Sequence, residues 1–326
     1  MDKIMTKMET FVSVVLIFDE IDTSFSTYLK ELASYLNDRY SDYEIIIIDP
    51  NQESLPLNLQ QELLRDIASI RWIKLAFPVK FDIALSAGIE NAIGDFVLLL
   101  RPTIDPIDII EPMVEESSNG YDVIVGIAEH QRTIGYRIIR KLSNSILHSI
   151  NYHIPKNATP VRCLSRRAIN TVLSTAQTSH QFYIKVANTG YPTKNYSYSM
   201  LNTNKIKKKT IFSGIAQSLE LMIFNSTKPL RWISILGIAG SFFAFIFAIY
   251  SIIVNILKDN VTEGWTSMVF FSSFLFMILF IILAFLGEYM ARLLNENKNQ
   301  KSYYISSEET STIMLETDRF NVLHQS

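Results

Sequence analysis

Two long runs without a single charge set the first limit on what this chain can fold into. Ile233–Leu257 reads ISILGIAGSFFAFIFAIYSIIVNIL, and Ser267–Gly287 reads SMVFFSSFLFMILFIILAFLG. A helix rises about 1.5 Å per residue, so either run can cross a hydrocarbon layer of about 30 Å. In lipid every backbone amide must be paired within the protein, and two such segments meet that demand as helices. Transmembrane helices are therefore expected at 232–257 and 267–290. Lys205, Lys207, Lys208, Lys209, Lys228 and Arg231 precede the first run, and Arg292, Lys298 and Lys301 follow the second. The connector 258–266 sets Lys258 against Asp259 and Glu263. This asymmetry predicts a multi-pass protein with both termini cytoplasmic and the connector outside. Trp232 and Trp265 stand at the span ends, where indoles favour the interface.

The chain before the spans has a different rhythm. After a polar tail at 1–10, which lacks the form of a signal peptide, residues 11–203 alternate between strand and helix patterns. Phe11–Phe18, Tyr43–Asp49, the stretch IRWIKLAF from Ile70, Phe96–Leu100 and YDVIVGI from Tyr121 read as strands. Helical spacing runs over about Ser24–Asn37, Leu57–Ser69 and Ile83–Ala92, and again after Asp108 up to Gly120, a residue suited to a C-cap. Such alternation predicts an α/β, Rossmann-like domain with a mostly parallel sheet covered on both faces.

Composition excludes some functions. A net charge of −2 offers no excess of cations for nucleic acid. Cys163 is the single cysteine, which excludes a disulfide framework and a Cys-based zinc site. His130, His148, His153, His180 and His324 show no ligand spacing.

Two further segments carry amphipathic patterns. In 131–151, Arg132, Arg137, Arg140 and Lys141 accompany Ile134, Ile138, Ile139, Leu142, Ile146 and Leu147 at helical spacing. Such a helix suits an anionic membrane surface, and equally a packed helix with a solvated basic face. Thr210–Asn225, within the juxtamembrane segment 204–231, is tethered to the first span and is expected to lie in the interface. In the segment 291–326, the polar, aperiodic stretch from Ser302 reads as disordered.

Taken with these features, LSAGIENAIGD (Leu85–Asp95), NGYDVIVG (Asn119–Gly126), STKPLRWISILG (Ser226–Gly237) and the pair GWTSMVFF and FLGEYMARL within Gly264–Leu293 carry a resemblance. Over about residues 11–303 the chain resembles the family 2 glycosyltransferases of the polyprenyl-phosphate type. These include bactoprenol glucosyltransferases and, more distantly, dolichol-phosphate mannose synthases. The resemblance implies a GT-A domain at the cytosolic face of a bacterial inner membrane. It implies transfer of a sugar from a nucleotide donor to a polyprenyl phosphate, a divalent cation as helper, and a homo-oligomer. The lysines of Lys205–Lys209 stand where the family has a cationic acceptor loop, so Lys208 and Lys209, with Arg137, Arg140 and Arg162, are the candidate lipid-phosphate contacts. The bland reading of the lysine run, a topogenic flank, stays open beside it.

The family's acidic signatures are altered. At the nucleotide-binding Asp-Asp-Gly position stands Asp49-Pro50-Asn51, which keeps one acid. Arg101, Pro102 and Thr103 replace the metal-binding Asp-x-Asp. Pro160, in TPVRCLSRR, stands where the family has its candidate base, with Arg162 kept. Arginine and proline ligate no cation, so no metal ligands are expected. Two readings of Arg101 follow. Its guanidinium replaces the ion against a diphosphate, with Asp49 as the second nucleotide contact. Alternatively the chain is a non-catalytic homologue serving as scaffold or regulatory subunit for a partner membrane protein. The other acids nearby, Asp82, Asp95 and Asp105, are read as surface or capping residues.

Overall fold

The computed structural model describes residues 7–18, 23–50, 56–128, 155, 157–174, 182–202, 264–297 and 303–311, with single positions between 235 and 253. Alternation of strand and helix begins at once: β1 (Met8–Ile17), α1 (Thr23–Arg39), β2 (Tyr40–Asp49), α2 (Leu57–Asp66), β3 (Ile70–Leu75), α3 (Phe81–Asn91) and β4 (Phe96–Leu100). A short 3-10 turn at Ile107–Ile109 leads into α4 (Ile110–Ser118) and β5 (Val123–Ala128). Gly120 follows α4 with φ +104°, the left-handed conformation that ends a helix and that glycine adopts without strain. After β6 (Ala158–Ser165) come α5 (Arg166–Ser174), α6 (Phe182–Asn188) and β7 (Thr193–Tyr198).

The strands form one eight-stranded sheet in the order β7-β5-β6-β4-β1-β2-β3-β8, where β8 is Ile305–Thr310. Strands β3, β2, β1 and β4 are mutually parallel, while β6 runs antiparallel between β4 and β5. The apolar runs expected of strands covered on both faces are observed, and their two faces separate cleanly. Val12, Val14 and Leu16 of β1 pack with Leu29, Leu32 and Leu36 of α1 and with Met113 of α4. Val15 and Ile17 turn to the other side, against Ala84, Leu85 and Ala87 of α3. Helices therefore cover both faces of the sheet. Cys163 lies fully buried in β6, and burial pushes its thiol up to about 12.

The order β2-β1-β4 sets the functional edge. From β1 the chain winds one way to β2 and β3, then crosses to β4 on the other side. Where winding reverses in an open α/β sheet, the carboxyl ends of the two strands splay into a crevice. Here those are the carboxyl ends of β1 and β4, and β4 ends at Leu100.

The tail departs from expectation. Rather than remaining disordered from Ser302, Ile305–Thr310 adds an antiparallel strand to β3. Arg71 of β3 bonds Glu308 at 2.8 Å and buried Glu44 at 3.0 Å, and Ser311 Oγ accepts from the Ile70 amide at 3.0 Å. The backbone ladder, rather than apolar side chains, holds this strand, so hydropathy gives no warning of it.

The second apolar run lies within one helix, α7 (Trp265–Asn297). Phe274, Phe276, Met277, Phe280, Leu283 and Leu286 on it are exposed. Among the described residues no helix is long and apolar enough to cross a membrane. The expected helices at 131–151 and Thr210–Asn225 lie outside the described residues.

Candidate functional site

Arg101 is the first residue beyond β4, at the carboxyl-end crevice. Its carbonyl accepts from the amides of Ile104 (3.3 Å) and Asp105 (3.1 Å), closing 101–105 into a tight loop. That closure takes Thr103 to φ +61°, a left-handed conformation costly for a β-branched residue. The Leu201 amide bonds the Ile104 carbonyl at 2.9 Å and ties the loop to the segment after β7.

The loop closes around a carboxylate. Asp105 is fully buried, so of its two expected roles, surface or capping acid, the surface one is corrected. Its Oδ2 accepts from the Arg101 amide and Nε, both at 2.9 Å. Its Oδ1 accepts from Arg101 Nη2 at 2.7 Å and from the Tyr198 hydroxyl at 2.7 Å. Both oxygens are thus committed. Burial opposes the charge on Arg101, but the hydrogen bonds and charge of Asp105 outweigh it and hold the guanidinium above its ordinary value. Burial, then the charge of Asp105, raises the Tyr28 and Tyr198 phenols, so both remain protonated donors. Tyr28 donates to the Asp105 carbonyl at 3.3 Å.

A neighbouring strand completes the network. Because β6 runs antiparallel to β4, its amino end lies beside the carboxyl end of β4. Tyr198 Oη sits 3.0 Å from Thr159 Oγ1, which donates to the Gly126 carbonyl at 3.0 Å. Gly126 permits this approach. A Cβ there would meet Val161 at 2.8 Å and the Tyr198 ring at 3.0 Å.

The other sequence candidates divide. Asp49 is fully buried at the carboxyl end of β2, on the same edge of the sheet as Arg101 but beyond β1. Pro160 lies in β6, and its carbonyl accepts from Tyr183 at 3.1 Å. Arg162 is buried, its Nη1 donating to the Thr159 and Val161 carbonyls at 2.5 and 2.7 Å, with its guanidinium 4.9 Å from the Tyr183 ring centre. Nη1 of that arginine is thus bonded to carbonyls of its own strand. Arg137, Arg140, Lys208 and Lys209 lie outside the described residues. Tyr198 and Thr159 were not among the sequence candidates; only the spatial neighbourhood of β5, β6 and β7 singles them out.

A divalent ion does not fit this loop. Hard cations require several oxygen ligands, carboxylates above all. The loop's carboxylate is Asp105, whose oxygens already hold a guanidinium and a phenol. Among the described residues no cluster of three or more His, Cys, Asp or Glu side chains is placed to hold a metal. What the arrangement does supply is a fixed cation. Nε and Nη2 of Arg101 face Asp105, and Nη2 also lies 3.9 Å from Met200 Sδ.

No protein-family model matches the chain. It is 24% identical over 302 residues to a prophage bactoprenol glucosyl transferase homolog of Escherichia coli, covering 90% of this chain and 97% of that one. It is also 24% identical over 311 residues to an undecaprenyl-phosphate 4-deoxy-4-formamido-L-arabinose transferase of Edwardsiella ictaluri, covering 91% and 94%. Among solved structures, glucosyl-3-phosphoglycerate synthase of Mycobacterium tuberculosis superposes with a TM-score of 0.48 and 11% identity over 65% of this chain and 78% of that one.

Proposed function

We propose that this chain, which resembles the polyprenyl-phosphate glycosyltransferases of family 2 along nine tenths of its length, acts on a nucleotide sugar and a polyprenyl phosphate at a membrane surface, without a resident divalent ion. The observation that supports the second half is the ion pair of part-buried Arg101 with fully buried Asp105, in the loop that the resemblance aligns with the family's metal ligands. In the transfer, a lipid phosphate oxygen bonds to the anomeric carbon as the bond from that carbon to the donor's diphosphate breaks. The electron pair leaves with the diphosphate, where a fixed cation stabilises it. An ionised phosphate nucleophile has no proton to lose, so Pro160 in place of a base removes little.

The apolar runs and the exposed Phe and Leu side chains of α7 support a membrane hairpin, because a helix apolar on all sides is stable only when covered. Both termini are then cytoplasmic, with the sugar-transferring lobe on the side of the soluble donor. A second reading is favoured by the joint loss of acids at 101, 103 and 160: a non-catalytic homologue that scaffolds or regulates another membrane protein.

The test is a donor screen. Purified full-length protein with undecaprenyl phosphate and a panel of nucleotide sugars is expected to form glycolipid equally with EDTA and with Mg²⁺ or Mn²⁺. Absence of nucleotide binding under every metal condition overturns the proposal. Binding without turnover, together with co-purification of another membrane protein, selects the second reading.

A further inference from the structure

The strongest unused feature of the site is the way Arg101 is held. An arginine that replaces a metal ion must be immobile, because a flexible side chain reorganises as charge develops and loses the advantage of preorganisation. Asp105 grips Arg101 along its Nε/Nη2 edge, and Tyr198 fixes the same carboxylate from β7. A bidentate grip of Arg101 on a diphosphate therefore cannot use that edge. Nη1 takes part in none of these bonds to Asp105, and the Arg101 side chain as a whole is 19% exposed.

We propose that Asp105 and Tyr198 are positioning residues that hold the Nη1 end of Arg101 toward the diphosphate of a nucleotide bound at the carboxyl end of β4. This rests on the nucleotide-binding reading above. Breaking the grip to free the whole guanidinium would leave Asp105 buried and uncompensated, so the anion binds to the pair as it stands. The net charge of Arg101 and Asp105 together is zero. Orientation, with the cation nearer the crevice and the acid sealed behind it, gives the pair its attraction for an anion.

The experiment is calorimetric titration of UDP, in EDTA, into the full-length protein and three variants, with GDP and ADP titrated into wild type alongside and the melting temperature of each protein recorded. Wild type is expected to bind with the same affinity in EDTA and in Mg²⁺. Arg101→Met/Asp105→Leu replaces a buried ion pair by apolar groups, a change proteins often tolerate in stability. It is expected to melt near wild type yet bind UDP at least about tenfold more weakly, the loss of a charge-assisted contact. Tyr198→Phe keeps ring and fold and is expected to weaken UDP severalfold; Thr171→Ala, remote from the loop, leaves binding unchanged. If the double variant or Tyr198→Phe binds as wild type does, the positioning inference is wrong while nucleotide binding stands. If wild type itself fails to bind UDP, GDP or ADP, the nucleotide reading falls and the inference with it.

Discussion

At the scale of single residues, Arg101 and Asp105 are coupled more tightly than their spacing suggests. The sequence shows an arginine and an acid four apart around a proline, a pattern that on an exposed loop contributes ~0–1 kcal/mol. Folding buries the acid completely, and the same pair becomes one whose separation is costly. Arg101→Ala is expected to destabilise the domain by about 3–5 kcal/mol, read by urea denaturation, far more than a surface arginine would. A loss under about 1 kcal/mol would mean that water reaches Asp105. Gly126→Ala is expected to cost about 1–3 kcal/mol by the same measurement, because its methyl group meets the Tyr198 ring and Val161. Neither effect was legible in the sequence. Arg101 drew notice as a departure from a family pattern, whereas Asp105 and Tyr198 gave no signal until β4, β5, β6 and β7 were placed side by side.

At the scale of elements, hydrophobic periodicity located most of the sheet. The strand expected at Phe96–Leu100 is β4 without adjustment, and β2 extends the expected Tyr43–Asp49 by three residues at its start. Apolar runs that face helices on both sides leave little freedom in where they fold. Strand β8 is the instructive failure, since ISSEET is polar and its stability comes from hydrogen bonds to an edge. Ser311 is central to that attachment: it is buried, accepts from Ile70 and donates to the Ile67 carbonyl at 2.6 Å. Ser311→Ala leaves both groups short of a partner and is expected to cost about 1–3 kcal/mol, seen as faster amide exchange in β3 and β8. A second element-scale test uses pH. Asp122, at the head of β5, accepts from Arg167 Nε at 3.1 Å and from Ser165 at 2.6 Å. The Arg167 hydrogen bond, opposed by burial and aided by Ser165, holds its carboxyl below the usual range. Its contribution to stability is complete above the unfolded value of about 4 and is lost as pH falls through the lower folded value. Asp122→Asn should flatten that part of the stability–pH curve.

At the scale of the whole molecule, the chain joins a sheet domain with its own buried core to long uncharged runs. A soluble donor and a lipid-borne acceptor meet only where water and lipid meet, which is the economy behind the proposed arrangement. The protein is expected to stay with vesicles through an alkaline carbonate wash, and release into the supernatant would overturn the membrane hairpin. The means of reading its topology is already built in. Cys163, the one sulfhydryl in the chain, is sealed inside the sheet, and its proton is held too firmly for attack on an alkylating reagent at neutral pH. The native protein is therefore a blank background for maleimide dyes. A cysteine introduced at Asn260 should colour from outside intact cells, and one at Ser302 only after the cells are opened.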